Sequence, residues 1–354
     1  MNEEGVHAIL IVRLSALGDI AMASPVVGAL RARYPRARIV WLAQPEGAPL
    51  LAGHPEINEV LVWPRGDWRR WLRTGRWLRL ARAFVDLRRR LRAEQFDLAL
   101  DLQGLMKSAV WGWVAGARER IGLGSREGSA RLMTRVVPRG GDHADLSSEY
   151  RHLCREIGLP EPGYRLHVAP SAEDDRKAAD RLLDAGIGAG FTVLCPFTTR
   201  SQKHWFGRRW AEVADRLHAE RSRPVVLLGG PGDSAAAERI VEQATAPVVN
   251  WTGATGIGEA AAVIGRCGLL VGVDTGLTHV GLAFERPTIA LFGSTLPYAH
   301  TGRDNVRILY HALPCSPCRR HPTCGGAFTC MRRITVDQVL AAVREVDGAA
   351  AGLA

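Results

Sequence analysis

The segment from residue 269 to residue 284 constrains the fold of this chain more than any other. Residues 269–273 form an uninterrupted apolar run, which is typical of a buried strand. The run ends at Asp274 and passes through Thr275 and Gly276 into a predicted helix that contains His279. A strand that feeds a helix through so short a turn leaves unpaired amides at the helix N-terminus. Together with the helix dipole, those amides form a site for phosphate.

Two interpretations of this segment are open. Asp274 at the strand end could accept hydrogen bonds from sugar hydroxyls, with Thr275 and His279 facing the same site. Alternatively, the segment is an ordinary strand-to-helix turn in which Asp274 caps the helix.

The strand-then-helix order recurs along the whole chain, which predicts an α/β protein with two doubly wound, Rossmann-like parallel sheets. We place the domain boundary near residue 165, next to a Pro- and Gly-rich linker at 159–163. This boundary gives an N-terminal domain, 1–165, and a C-terminal domain, 166–354. Residues 124–150 read as loop. The predicted strands are 8–12, 38–42, 59–62, 96–103, 191–195, 224–228, 269–273 and 288–292.

Composition supports a folded, soluble protein. The chain has 354 residues, of which 47% are apolar and 23% are charged, enough for two domains with a large core. Its apolar runs stop well short of the roughly 18 residues that a membrane span needs. The N-terminus is acidic and leads straight into a strand, unlike a signal peptide. We therefore expect a cytoplasmic protein.

The net charge of +10 is concentrated in one segment. Between Trp63 and Arg92 there are eleven arginines against only Asp67 and Asp86, with tryptophans interleaved. Such a segment suits a polyanionic partner: nucleic acid, anionic lipid headgroups or a phosphorylated glycolipid. The alternative is a solvated amphipathic helix whose arginine stems cover apolar surface.

Polar residues also follow two strands of the first half. Asp19 follows the first strand, where it could start a helix or act as a general base. The loop before it lacks the glycine fingerprint of dinucleotide-binding proteins, which disfavours a dehydrogenase. Gln103 ends the fourth strand, and Lys107 and Ser108 in the next helical turn could hold an anion.

Seven cysteines are present, and four of them share one short segment. In a reducing cytosol, four thiols at close spacing favour a structural zinc or iron site, although the spacings are shorter than those of common zinc ribbons. The four are Cys315, Cys318, Cys324 and Cys330. We interpret the other three, Cys154, Cys195 and Cys267, as core residues.

Four segments in combination resemble a known family. They are residues 14–19 (LSALGD), 101–108 (DLQGLMKS), 198–205 (TTRSQKHW) and 274–279 (DTGLTH). Over most of its length the chain resembles the ADP-heptose:lipopolysaccharide heptosyltransferases, glycosyltransferase family 9. The resemblance implies the GT-B fold, in which two Rossmann-like domains face a cleft. It also implies that the N-terminal half binds the acceptor and the C-terminal half binds the sugar nucleotide.

The resemblance assigns roles to individual residues. It implies that Asp19 is the general base and that Lys203 holds the donor diphosphate and supports catalysis. The other implied donor-binding residues are Thr198, Thr199, Asp233 at the ribose, Asp274 at the heptose, Thr275, Gly276 and His279. Family members often carry Glu where Asp233 stands. The acceptor-facing region matches more loosely and contains Ser15, Gly18, Arg65, Arg69, Gln103 and Lys107.

The implied reaction is an inverting transfer of heptose from ADP-heptose to a Kdo or heptose of the lipopolysaccharide inner core, with no cofactor required for catalysis. The acceptor would be a phosphorylated glycolipid, with the enzyme peripheral on the cytoplasmic face of the inner membrane. Alternatives are another nucleotide-sugar donor or a protein acceptor. The protein-modifying branch also holds a metal with cysteines, at longer spacings. A non-enzymatic alternative is a nucleotide- or nucleic-acid-binding protein that uses the basic segment; under the main interpretation no nucleic acid partner is expected.

Overall fold

The computed structural model describes residues 5–161, 164–318 and 321–351. The chain forms two compact units: one comprises Met1–Asp142 and Ser147–Ser171, the other His143–Leu146 and Ala172–Ala354. The division after Ser171 lies a few residues beyond the boundary expected near 165. Part of the predicted linker, Pro162 and Gly163, lies outside the described residues, as does the N-terminal end that was compared with a signal peptide.

The first unit is built on a six-stranded parallel sheet with the order β3-β2-β1-β4-β5-β6. Its central strand β1 is fully buried, because helices cover both faces of a parallel sheet. The strands are β1 Ala8–Val12, β2 Arg38–Ala43, β3 Glu59–Val62, β4 Leu98–Asp101, β5 Glu119–Leu123 and β6 Arg135–Val137; the helices are α1 Leu17–Ala23, α2 Pro25–Arg33, α3 Arg65–Arg73, α4 Trp77–Ala93, α5 Met106–Ala115 and α6 Ser148–Glu156.

The second unit repeats this architecture with the order β12-β11-β10-β7-β8-β9, again all parallel. Every residue of its central strands β7 and β10 is buried. The strands are β7 Thr192–Cys195, β8 Val225–Leu227, β9 Val248–Asn250, β10 Leu269–Val273, β11 Thr288–Phe292 and β12 Val306–Tyr310; the helices are α7 Ala172–Asp184, α8 Gly207–Arg221, α9 Ser234–Gln243, α10 Ile257–Ile264, α11 Gly276–Ala283, α12 Thr329–Arg333 and α13 Val336–Ala351.

Both sheets contain a point where the direction of winding reverses. In the first sheet the reversal lies between β1 and β4, and in the second between β7 and β10. Segments that leave such a pair of strands diverge to opposite faces of the sheet, which opens a crevice at the carboxyl ends where α/β proteins bind ligands. The segments after β1, β4, β7 and β10 are therefore the places where functional side chains are expected.

The predicted fold class is confirmed, and β1, β3, β10 and β11 have the predicted limits. The prediction that residues 124–150 form a loop was wrong in part, because this region contains β6, whereas α6 agrees with the helix predicted over 149–157. β6 is three residues long, and its first two residues, Arg135 and Val136, are exposed. Such a short edge strand has no apolar run by which it could be recognised. The same reason accounts for β9, which sequence reasoning also missed. The prediction missed β5 and β12 as well, because charged residues interrupt their apolar runs.

Within the part of the chain that the structure describes, no helix combines the length and the apolar character needed to cross a bilayer.

Candidate functional site

The reversal point of the second sheet brings Lys203 and Asp274 together. Lys203 ends a short 3-10 turn, Ser201–Lys203, in the segment that leaves β7, and Asp274 directly follows β10. The Lys203 ammonium forms an ion pair with Asp274 Oδ2, and their side chains are only 14% and 12% exposed. Because β7 and β10 are hydrogen-bonded neighbours, the segments that follow them lie close enough for this pairing.

Asp274 is the centre of a polar cluster. Thr295, which follows β11, donates a hydrogen bond to Asp274 Oδ2. His279 Nε2 lies 3.5 Å from Asp274 Oδ1, and the Tyr298 hydroxyl is 2.9 Å from His279 Nδ1. Burial would raise the pKa of Asp274, but His279 and Lys203 hold it well below its ordinary value. The carboxylate is therefore ionised at any pH near neutrality.

Helix α11 begins next to this cluster. Its N-cap is Thr275, so the alternative in which Asp274 caps the helix was wrong. Gly276 is the first helical residue, and the amides of Thr275 and Gly276 precede the first hydrogen bond of the turn, which the Thr278 amide donates to the Thr275 carbonyl oxygen at 3.2 Å. A Cβ at Gly272 of β10 would lie 2.2 Å from Thr278 Oγ1. Glycine at that position therefore lets α11 pack closely on the strand end.

Three other predicted donor residues lie nearby in the same unit. Thr198 is half-buried, and its hydroxyl is 3.4 Å from the Asp274 carbonyl oxygen, to which it donates. Thr199 is exposed. Asp233 ends the 3-10 turn Pro231–Asp233 in the segment that follows β8, and its Oδ2 accepts a hydrogen bond from the Gly230 amide at 2.9 Å. Among the described residues, Asp233 Oδ1 accepts no hydrogen bond.

The reversal point of the first sheet holds Asp19. The Asp19 side chain is 53% exposed, and its Oδ2 lies 2.5 Å from Nη2 of the buried Arg13. The same guanidinium donates from Nη1 to the Leu102 carbonyl oxygen, 3.0 Å away. Asp19 also accepts a hydrogen bond from the Ala16 amide at 3.2 Å, as a carboxylate in the first turn of a helix does. Asp19 thus starts helix α1 and still presents an accessible carboxylate.

Gln103 links the segment that follows β4 to the segment that follows β1 by a hydrogen bond. Its Oε1 accepts a hydrogen bond from the Leu14 amide at 3.1 Å, which joins the end of β4 to the end of β1. Gln103 is itself buried, whereas Ser15 on the adjoining loop is half-buried; Gly18, in α1, is buried. Any contact of these three residues with an acceptor stays a prediction.

Cationic side chains accompany Asp19 in this unit. Lys107, in the first turn of α5, is half-buried. Burial, together with the charges of Arg65 and Arg13, lowers the pKa of Lys107. Arg69 is exposed one turn further along α3. The predicted anion-binding role of Ser108 was wrong, because its buried hydroxyl donates to the Leu105 carbonyl oxygen and accepts from the Leu105 amide.

The four-cysteine segment gives a mixed result. Cys330 is buried, Cys318 and Cys324 are half-buried and Cys315 is exposed. Among the described residues, which exclude 319 and 320, no three His, Cys, Asp or Glu side chains are arranged to hold a metal ion. The zinc or iron site stays a prediction. Cys154, Cys195 and Cys267 are buried, so their interpretation as core residues is confirmed.

Comparison with known proteins then decides the family. Residues 84–326 match the model of glycosyltransferase family 9 (heptosyltransferase). The chain belongs to glycosyltransferase family 9. It is 30% identical over 324 residues to lipopolysaccharide heptosyltransferase 1 of Pseudomonas aeruginosa, an alignment that covers 88% of this chain and 85% of that protein.

Solved structures share the fold of this chain. The family 9 glycosyltransferase from Veillonella parvula superposes with a TM-score of 0.80 at 20% identity, covering 96% of this chain and 97% of that one. The ADP-heptose lipopolysaccharide heptosyltransferase II of Escherichia coli superposes with a TM-score of 0.73 at 25% identity, covering 96% and 98%. The chain is therefore a glycosyltransferase with the GT-B fold of family 9, as its sequence motifs implied.

Sequence reasoning missed three residues of these clusters. Arg13 was detectable, since a charged residue directly after a buried strand is unusual. Thr295 follows the predicted strand 288–292, which marks it as a strand-end residue. Tyr298 carried no signal, because its hydrogen bond to His279 depends on how the segment after β11 folds back.

Proposed function

We propose that this protein transfers heptose from ADP-heptose to a Kdo or heptose of the lipopolysaccharide inner core, with inversion at the anomeric carbon. Membership of family 9 supports the reaction class. The donor and the acceptor class are those for which its relatives are named. The observation that carries the proposal is the Lys203–Asp274 cluster beside the N-terminus of α11, because it combines phosphate-binding and sugar-binding groups.

Lys203 is the principal diphosphate-binding residue of this proposal. An ammonium group has three N–H donors, so Lys203 can keep its bond to Asp274 while it donates to a phosphate oxygen. The amides of Thr275 and Gly276 and the hydroxyls of Thr198 and Thr199 would share the same diphosphate. As ADP leaves, these donors stabilise the negative charge that develops on it.

Asp274 and Asp233 would bind the two sugars of the donor. The lowered pKa of Asp274 keeps it an acceptor for heptose hydroxyls, with His279 beside it. Asp233 uses Oδ2 for its own turn, which leaves Oδ1 for a ribose hydroxyl.

Asp19 would be the general base. Its carboxylate takes the proton of the acceptor hydroxyl as the oxygen of that hydroxyl bonds to the anomeric carbon. The bond from the anomeric carbon to the phosphate oxygen breaks in the same step, and ADP leaves with its electron pair. A single displacement of this kind inverts the anomeric configuration. Arg13 serves as a positioning residue, because it fixes the carboxylate from a buried site.

The acceptor would bind near the cations of the first unit. Arg65, Arg69 and Lys107 suit the phosphates and carboxylates of a phosphorylated glycolipid. Burial first, and then the charges of Arg65 and Arg13, lower the pKa of Lys107, so a bound anionic group of the acceptor would favour its charged form. Ser15, Gly18 and Gln103 would line the same region.

In this proposal catalysis requires no metal, because Lys203 and the α11 amides supply the positive charge that a metal would otherwise provide. A zinc or iron ion at Cys315, Cys318, Cys324 and Cys330 would be structural, since four thiolates leave no open coordination position. The remaining alternatives are another sugar on the donor and a protein acceptor. The non-enzymatic alternative loses its support, because family membership makes the chain a glycosyltransferase.

Mass spectrometry of wild-type reactions tests this proposal. The protein is incubated with ADP-heptose and either Kdo₂–lipid A or its heptosylated form, with and without EDTA. We expect a product heavier by one heptose and an equal amount of ADP, unaffected by EDTA, with inverted configuration by NMR. Absence of product despite thermal stabilisation by ADP would contradict the donor sugar or the acceptor class, and absence of both would contradict the donor site.

A further inference from the structure

Helices α3 and α4 form a hairpin that is rooted in the core of the first unit. Trp68 of α3 contacts Trp63, Trp111 and Phe84 edge-on, with ring centroids 5.8–6.3 Å apart. Gly75, between the helices, has φ 68°, a backbone conformation that favours glycine and lets the chain reverse. The base of the hairpin is therefore fixed, and its far end projects from this anchor.

That far end, residues 72–79, exposes large apolar side chains; we call it the hairpin tip. Leu78 is 89% exposed, Trp77 is 60% exposed and Leu72 is 47% exposed. Val85, two helical turns beyond Leu78 on α4, is 45% exposed and extends the apolar surface. Single exposed apolar residues are ordinary, but several adjoining ones indicate an interaction surface.

The hairpin tip is also strongly basic. Arg73, Arg76 and Arg79 alternate with the apolar residues, and all three are exposed. The sequence has no Asp or Glu from residue 68 to residue 85. Among the described residues, none of these three arginines has an acidic partner. The hairpin tip therefore presents uncompensated positive charge around an apolar centre.

We propose that the hairpin tip docks on an anionic lipid bilayer. Tryptophan favours the boundary between headgroups and acyl chains, and Leu72 and Leu78 can enter the apolar layer below it. Arg73, Arg76 and Arg79 then lie at the height of anionic headgroups. The arginines thus match the anionic headgroups of a bilayer, and the apolar side chains match its acyl layer.

Two other occupants fit less well. A second copy of the chain would bring the same positive charge onto itself, because a two-fold interface pairs identical surfaces. Nucleic acid would satisfy the arginines, but its phosphate backbone offers nothing to Leu72, Leu78 and Val85.

Docking would also place the enzyme beside a lipid-anchored acceptor. This point alone rests on the proposed function. Arg65, assigned to acceptor binding, is the first residue of α3, the same hairpin whose far end meets the bilayer. A lipid-anchored acceptor would thereby be held in the membrane to which the enzyme is bound. Membrane binding itself requires neither heptose nor ADP.

Vesicle co-sedimentation of the full chain tests the proposal. The vesicles contain phosphatidylcholine alone or phosphatidylcholine mixed with phosphatidylglycerol, and neither carries donor or acceptor. One variant carries Arg73→Gln, Arg76→Gln and Arg79→Gln, and a second carries Trp77→Ala and Leu78→Ser. The matched control carries Arg176→Gln, Arg239→Gln and Arg333→Gln, three exposed arginines of the second unit. Circular dichroism checks that every variant is folded.

We expect the wild type to bind the anionic vesicles and not the neutral ones. Both hairpin-tip variants should lose at least about tenfold in affinity, while the control should stay within about twofold. No binding by the wild type, or equal losses in control and test variants, would overturn the proposal. Binding to single-stranded RNA or self-association that is lost in the same variants, without vesicle binding, would also overturn it. Because no sugar transfer is measured, failure here is separate from failure of the proposed reaction.

Discussion

Each sheet carries an acid–cation pair at its reversal point, and the two pairs differ in which member is exposed to solvent. In the first sheet the acid, Asp19, is 53% exposed, and its cation, Arg13, is only 8% exposed. In the second sheet both members are enclosed, with Lys203 14% exposed and Asp274 12% exposed. The pairs stand at corresponding reversal points of sheets with the same winding.

The difference shows how burial suits the two carboxylates to different roles. Asp19 is accessible to a bound molecule, because its side chain is about half exposed to solvent. Asp274 is held ionised by His279 and Lys203, so it can bind but cannot take part in proton transfer near neutral pH. The same fold thus supplies a candidate base and a candidate ligand-holding acid.

Asp19→Asn should have the largest effect. We expect the transfer rate to fall by about 10² to 10⁴, since the amide cannot accept the proton, while ADP affinity stays within a few-fold. Product mass spectrometry measures the rate, and calorimetry measures ADP binding. Asp180→Asn, which changes an exposed acid on α7, is the control and should keep full activity. Full activity in the Asp19 variant would show that Asp19 is not the general base.

Lys203→Ala should have the next largest effect, and it should differ in kind. Both ADP affinity and rate should fall, the rate by about 10² to 10³, because a donor to the leaving group is lost. The control is Lys177→Ala, an exposed lysine on α7 that pairs with Glu173. An unchanged ADP affinity in the Lys203 variant would exclude it from the diphosphate site.

The smallest effect should be on acid stability. The pKa of Asp274 is lower in the folded protein than in the unfolded chain, so its contribution to stability is present above about pH 4 and is lost as the pH falls below that value. Asp274→Asn should therefore lower the urea midpoint at neutral pH yet make it fall less steeply in acid. Asp180→Asn should keep the wild-type slope. If the urea midpoint fell with pH at the same slope in both variants, the lowered pKa assigned to Asp274 would be contradicted.

Much of the fold could be predicted because a strand buried on both faces appears in the sequence as an uninterrupted apolar run. β1 and β10 are buried on both faces, so every residue in them is apolar, and their limits are visible in the sequence. β6 and β9 are short and lie at sheet edges, where partial exposure removes that signal. The basic segment shows the same limit. Trp68 belongs to the core and Trp77 to the surface, although both stand among arginines.

The sequence pointed to some members of the two candidate clusters but not to their pairings. Strand-end positions and family motifs pointed to Asp19, Lys203 and Asp274. They did not show that Lys203 is bonded to Asp274, nor that Arg13 holds Asp19.

By itself, then, the sequence determined the fold class, the family and the strand ends at which polar side chains gather. These properties depend on local apolar runs and short motifs, which can be read without knowing what lies beside them. Only the tertiary structure decided which acid is buried and which is exposed. It also decided which tryptophans of the basic segment belong to the core and which lie on the surface. Those outcomes depend on contacts between residues far apart in the chain, such as Lys203 with Asp274, and on the solvent that each contact excludes.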